Sequence, residues 1–155
     1  KRLSIKFKDY PFLIELYGDV YFAKGEFNKA IKYYKKSIQI LNKTSINSTD
    51  LIKFSLVKSF LQTKDINNFN QSIDILEELI KNNPRWSYLW RLLAKASGRL
   101  NQKGISYIAL AEEALIKKKF LKARKYVSLA LKYPQLSNEY RLRGKDILIR
   151  ANIKK

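Results

Sequence analysis

The strongest constraint on the fold is a piece of sequence that occurs twice. Phe27-Asn28-Lys29-Ala30-Ile31-Lys32-Tyr33 and Phe120-Leu121-Lys122-Ala123-Arg124-Lys125-Tyr126 agree at five of seven positions. Each follows a short lysine-containing turn that closes an amphipathic helix. Each also sets small residues where two helices must approach, Ala30 and Ser37 in one and Ala123 and Ala130 in the other, with Tyr34 or Val127 filling the space between. An element that recurs with a period of about 34 residues marks stacked helical hairpins rather than a closed bundle.

The rest of the chain keeps the helical period. Five glycines and three prolines stand among 155 residues, and apolar side chains recur at three- and four-residue spacing almost throughout, so the reading is all-α. About eight helices are expected. The first spans 10–23, capped by Asp9 with Pro11 in its first turn. The second spans 27–41 and buries Phe27, Ala30, Ile31, Tyr34, Ile38 and Leu41. After a polar loop, a third over 48–63 carries Leu51, Phe54, Leu56, Val57, Phe60 and Leu61, with Ser48 to Asp50 supplying caps. A loop over 64–68 leads to a fourth over 69–81, stopped by Asn82-Asn83-Pro84. Four more are expected over 85–100, 104–117, 120–132 and 136–152. The short connections make successive helices antiparallel neighbours in one domain.

Composition narrows the chemistry. There is no cysteine and no histidine, so disulfide frameworks, thiol nucleophiles, cysteine-based metal sites, histidine general bases and the HExxH zinc helix are all excluded from these residues. The chain by itself is therefore not expected to be an enzyme. Two carboxylate pairs, Glu15 with Asp19 and Glu112 with Glu113, are not read as acid–base machinery without a histidine or a cleft, and the first pair, at helical spacing, is read as tuning ligand charge or pairing with a nearby lysine. The richest apolar windows are cut by Glu15, Asp19, Lys58, Glu77, Glu112 and Glu113, so no membrane span is expected. The chain starts at Lys1 without a single methionine and reads as a piece or processed product of a longer protein.

The repeat residues resemble those of the tetratricopeptide repeat (TPR) family. Gly18, Tyr21, Gly25, Phe27, Ala30, Ile31, Tyr34 and Ile38 stand where that repeat carries its characteristic residues, with Tyr17 in place of the usual Leu. Leu56, Phe60, Ile73, Leu76 and Pro84 fit a second repeat with about three residues inserted between its helices and Ser72 for the usual Ala. Trp90, Leu93 and Ala94 open a third, and Tyr107, Leu110, Ala111, Ala114, Ala123, Val127, Ala130 and Pro134 form the last. The repeats fall at about 11–42, 49–84, 87–103 and 104–134, followed by a helix at 136–152. The last begins about half a period late, so one helix is expected out of phase. The resemblance thus implies a TPR-like solenoid of antiparallel helices with an irregular superhelix.

A narrower likeness is to the C-terminal TPR domain of bacterial periplasmic zinc metalloproteases of the β-barrel assembly-enhancing type. Tyr10-Pro11-Phe12 with Glu15-Leu16-Tyr17-Gly18, Leu89-Trp90-Arg91-Leu92-Leu93-Ala94 with Gly98-Arg99-Leu100, and Ala109-Leu110-Ala111-Glu112-Glu113-Ala114 carry it. It implies a parent protein with an N-terminal zinc peptidase domain, located in the periplasm and acting in outer-membrane protein quality control. Zinc would belong to that domain, and no cofactor is expected in this chain. In such repeats the first helix of each hairpin lines a concave groove that holds a peptide or protein ligand, or the protein's own protease domain.

Candidate groove residues follow from that face. Arg91, Lys95 and Arg99 are spaced by four, placing three cations on one helical stripe, with Tyr88 three residues before Arg91. Lys58, Glu15 and Asp19 join them from earlier repeats. Trp90 is expected in the core, and Trp86, one turn earlier, is a candidate partner anchor. The net charge of +19, from 32 Lys and Arg against 13 Asp and Glu, keeps a second class open, a basic solenoid on nucleic acid or a membrane surface. Against nucleic acid, Lys117-Lys118-Lys119 lacks interleaved aromatics, and lysine crowded with Ile and Asn is what low-GC coding produces. A free-standing TPR scaffold with no protease is the remaining alternative.

Overall fold

The computed structural model describes residues 10–43 and 49–153, and among these every regular element is an α-helix. In chain order they are α1 (Pro11–Ala23), α2 (Phe27–Leu41), α3 (Asp50–Phe60), α4 (Ile66–Asn82), α5 (Ser87–Arg99), α6 (Lys103–Ile116), α7 (Phe120–Ala130) and α8 (Asn138–Ile153). Within each unit consecutive helices pack as antiparallel neighbours. The packing gathers into two compact units, 1–68 and 69–155, which divide in the first turn of α4. Among the described residues no helix is long and apolar enough to cross a membrane.

In the first unit α1 lies against α2, with Gly18 over the ring of Tyr34. A Cβ at Gly18 would stand 2.6 Å from the Tyr34 ring, so the close crossing needs the missing side chain. Tyr34 is fully buried and its hydroxyl donates to Asp19 Oδ1 at 2.6 Å, which fixes the ring against the glycine. Ser37 is also buried, and its hydroxyl donates to the Pro11 carbonyl at 2.8 Å. The small residues of the repeated segments are all fully buried, Ala30 and Ser37 here and Ala123 and Ala130 in the second unit.

The second unit packs α6, α7 and α8 around Ile108, Ala111, Ala123, Val127, Ala130, Ile147 and Ala151, each with almost no exposed surface. Gly144 lets α8 come close: a Cβ there would meet Ile108 at 3.1 Å and Val127 at 3.2 Å. α5 is held at one end to the turn before it and at the other to α4. The Trp90 indole N–H donates to the Pro84 carbonyl at 3.0 Å, and the Arg99 guanidinium lies 5.8 Å from the Phe69 ring centre. Trp90 is core, as its spacing predicts.

Three hairpins turn in the same way. After α1, α5 and α6 the chain passes through a left-handed residue, Gly25 at φ 75°, Asn101 at 58° and Lys118 at 57°. In each turn the left-handed residue's N–H returns to a carbonyl three residues back, and the next N–H reaches one five back: Glu26 to Tyr21 at 2.9 Å, Gln102 to Ser97 at 2.8 Å, Lys119 to Ala114 at 2.8 Å. This is the Schellman closure, which satisfies the orphan carbonyls of a helix end. The residue that opens the next helix repeats too, with φ/ψ of −87/62° at Glu26, −83/61° at Gln102 and −92/65° at Lys119. α6 is therefore entered and left by the same turn.

Several boundaries differ from expectation. α2 agrees to the residue, but α3 is shorter and buries Ile52, not Leu51, which points to solvent. α4 starts three residues early because the Asp65 carboxylate accepts the Asn67 N–H at 2.8 Å and opens the helix at Ile66. α8 starts late: Leu136 is buried beneath Gly104, and Arg141 reaches back to the Leu136 and Tyr133 carbonyls at 3.0 and 2.8 Å, holding the preceding turn. Asp9 and Ser48 lie outside the described residues. Thr49, at the start of α3, makes no side-chain cap.

Two substitutions probe this packing. Gly18→Ala is expected to cost about 1–3 kcal/mol, because the Tyr34 ring has no room to yield. Lys118→Gly is expected to gain about 0.5–1 kcal/mol by relieving a side chain from a left-handed backbone. Urea denaturation followed by circular dichroism measures both, and opposite signs from two nominally similar exchanges are the diagnostic result.

Candidate functional site

The seven expected groove residues fall into the two units and meet different fates. In the first, Glu15 is partly buried, and desolvation together with the nearby Asp19 pushes its carboxyl above the usual range. Asp19 is taken up by Tyr34, whose phenol is pushed up by burial and by that hydrogen bond. Lys58 on α3 covers aromatic surface, with its ammonium 5.0 Å from the Phe22 ring centre and 5.6 Å from that of Phe54. Its stem packs and its charge faces the rings, a common use of lysine at an apolar edge.

In the second unit Arg91, Lys95 and Arg99 do line one exposed face of α5, with Tyr88 exposed one turn before Arg91. They are not equivalent. Arg99 is stacked on Phe69, whereas Arg91 is bound to Glu113, with Nε and Nη2 at 2.9 and 2.6 Å from Oε1. Lys95 makes no ion pair among the described residues. Arg91→Glu would therefore set a second carboxylate against Glu113, so that exchange tests folding before binding. Trp86 is partly buried at the start of α5 rather than displayed.

The paired glutamates have a structural role that spacing did not disclose. Glu112 and Glu113 are only 4% and 6% exposed, and they face different helices. Glu113 collects Arg91 from α5 and Lys117 at 2.5 Å from the end of its own helix. Glu112 turns to α8, where Arg143 lies at 3.2 Å and Arg150 at 3.8 Å. Arg143 also sits over the Trp90 ring at 5.0 Å. Burial raises both carboxyls, but at Glu113 the hydrogen bonds and charges of Arg91 and Lys117 win and hold it below the usual range. At Glu112 burial wins over Arg143 and Arg150, and its carboxyl stays above that range.

Around Glu113 the surface opens into a small cleft of about 240 Å³, with Leu110 and Ala114 of α6 at its floor. Arg91, Lys117, Lys119, Lys122 and Tyr126 complete it. Four cations thus surround one carboxylate that two of them already occupy. Sequence reasoning read 117–119 only as a charge tract. The signal available was the pairing of that tract with Lys122 three residues beyond Lys119, which sets Lys122 in the first turn of α7 beside the residue that caps it. A second, larger groove of about 530 Å³ lies between α4, α5 and α8, lined by Trp90, Leu93 and Tyr140 with Glu77 at its rim. The Tyr140 hydroxyl donates to Glu77 Oε1 at 2.6 Å across it. Among the described residues no group of three or more carboxylates is placed to hold a metal ion.

One further surface stands out in the first unit. α1 buries Ile14 and Gly18, yet Phe12, Leu16 and Val20, spaced by four, form a stripe that is between 42% and 55% exposed. Tyr17 is exposed beside it and leans on Tyr33, with ring centres 5.6 Å apart. α1 is thus apolar on both faces while only one is covered. No family model matches the chain, and no curated protein matches it in sequence.

The opposite settings of the two glutamates predict opposite responses. Stability from Glu113 is complete at neutral pH and is lost as pH falls below 4.5 toward its lowered folded value. Stability from Glu112 has the reverse sign, present below 4.5 and lost as pH rises through its raised folded value. At pH 7 Glu113→Gln is therefore expected to cost about 1–2 kcal/mol and Glu112→Gln distinctly less. Urea midpoints at pH 7 and pH 4 check this, with the gap between the two variants closing at the lower pH.

Proposed function

We propose that this chain is a protein-binding module, a TPR-like solenoid of helical hairpins that recruits or positions client or partner proteins for a zinc-dependent metalloprotease of the periplasm. The observation that carries the binding role is the uncovered stripe of Phe12, Leu16 and Val20 on α1. Keeping a contiguous row of large apolar side chains in water is unfavourable by about 25 cal/mol per Å² of apolar surface, and such rows mark protein contacts. Glu15 and Asp19 stand on the same helix and give the stripe a charged border. A segment of an unfolded or partly folded protein, apolar with flanking polar groups, fits that surface better than a small molecule does.

The protease belongs to the resemblance carried by Leu89 to Ala94 and Ala109 to Ala114, and its zinc and catalytic groups would lie in a separate peptidase domain of the parent protein. The module's contribution is positional: it raises the local concentration of a client beside the active site. A free-standing scaffold would use the same stripe without proteolysis, and the test separates the two. The natural protein that carries this chain is assayed for cleavage of an unfolded protein, with and without a chelator. Chelator-sensitive cleavage that drops about tenfold or more with Leu16→Glu plus Val20→Glu, at unchanged helicity, is the expected result. Absence of chelator-sensitive cleavage overturns the protease assignment, and cleavage indifferent to the α1 exchanges overturns the recruiting role.

A further inference from the structure

We propose that the cleft beside Glu113, extended over the start of α7, is a binding site for an acidic peptide segment, with carboxylate side chains against Lys119 and Lys122 and a neighbouring apolar side chain on Leu121. The cations come from separate elements and converge: Arg91 from α5, Lys117 and Lys119 from the α6–α7 turn, Lys122 from α7. The single carboxylate lining the cleft, Glu113, is already engaged by Arg91 and Lys117. Among the described residues Lys119 and Lys122 make no ion pair, so two exposed cations border the cleft without a carboxylate partner.

The turn places those charges. Lys118 takes the left-handed position where Gly25 and Asn101 stand in the sister turns, and the chain on either side of it sends Lys117 and Lys119 into this cleft while Lys118 lines a different groove with Arg85 and Arg150. The Lys119 backbone is anchored at Ala114 O, so its side chain springs from a fixed point. Beyond the cleft, Lys119, Lys122 and Tyr126 border an apolar shelf made by Phe120 and Leu121, and Leu121 is 76% exposed. Charge in the cleft and an apolar shelf beside it match a polypeptide in which carboxylates alternate with large apolar residues.

Nucleic acid fits less well. Tyr126 is the one aromatic ring lining the cleft, and Tyr107 already lies along it at 6.2 Å between ring centres, so the cleft lacks the series of open rings on which successive bases stack. The cleft volume of about 240 Å³ admits one or two side chains, not a tracked backbone.

The inference rests on the protein-binding reading only in taking the ligand to be a polypeptide. Its test is fluorescence polarisation at physiological salt, with the full chain and a labelled peptide of mixed Glu and Leu; a Gln-for-Glu peptide and an oligouridylate serve as competitors. Lys119→Gln with Lys122→Gln is expected to weaken peptide binding about tenfold or more, while Lys118→Gln with Lys145→Gln, equal in charge but outside the cleft, changes it by less than about twofold. Leu121→Ser is expected to weaken it as well, and provides the reading if the double lysine variant loses helicity. Equal losses from both lysine pairs, no loss from either the first pair or Leu121→Ser, or tighter binding of the oligouridylate than of the peptide would each overturn the site. Leu16→Glu with Val20→Glu should leave the peptide affinity unchanged, so this site and the α1 surface can fail separately; abolition of binding by that pair moves the peptide to α1 and overturns the cleft.

Discussion

Consecutive residues on a helix are turned by about 100°, so two adjacent carboxylates cannot share a partner, and on α6 this constraint is used to tie the second unit together. Glu113 reaches α5 through Arg91, and Glu112 reaches α8 through Arg143 and Arg150. The two glutamates differ in character. The lowered carboxyl of Glu113 reports charges that outweigh desolvation, whereas the raised carboxyl of Glu112 reports desolvation that outweighs its arginines. Burying charge rarely adds net stability over a well-packed apolar alternative, but it fixes which helices meet and at what register. The alanine-rich seam of α6, α7 and α8 needs that help, because Ala111, Ala123, Ala130 and Ala151 offer little shape to choose one register over another.

The turns supply the complementary constraint. Identical Schellman closures at Gly25, Asn101 and Lys118 mean that three hairpins are launched with nearly the same backbone geometry. Packing then selects residues to suit that geometry, which is why Ala30 and Ala123 occupy corresponding places two or more hairpins apart in the chain. Lysine at a left-handed position is an unfavourable choice where glycine or asparagine would serve, and the cost, about 1 kcal/mol, is consistent with a side chain retained for another reason.

What was legible in the sequence follows from range. α2 could be read to the residue because both its signals are local, the Lys24-Gly25-Glu26 turn before it and a continuous apolar stripe along it. α3 misled because Leu51 and Ile52 are both apolar and adjacent, and only the stripe through Leu56 and Phe60 reveals that Ile52 belongs to it. The start of α4 was missed because Lys64 to Asn68 is polar like a loop, and composition does not reveal that the Asp65 carboxylate holds a backbone N–H. At the candidate site the i, i+4 spacing of Arg91, Lys95 and Arg99 correctly predicted one exposed face of α5. It could not predict that Arg91 is bound by a carboxylate 22 residues away, since side-chain partners at that distance depend on how hairpins stack.

That long-range pairing also changes what the charge of the chain means. The formal excess of +19 treats every carboxylate as equally available to screen lysine. Glu112 and Glu113 are not: they are buried, and their partners are arginines together with Lys117. Asp19 and Glu77 are committed to tyrosines. Around the α6–α7 turn the remaining positive charge is therefore carried by lysines that make no ion pair among the described residues. A diffuse cationic surface attracts every polyanion and loses its grip with salt, within a Debye length of about 8 Å at physiological ionic strength. Lys119 and Lys122, set on a fixed turn beside an apolar shelf, differ from that background in geometry rather than in charge. It is geometry that distinguishes a recognised acidic segment from general electrostatic attraction.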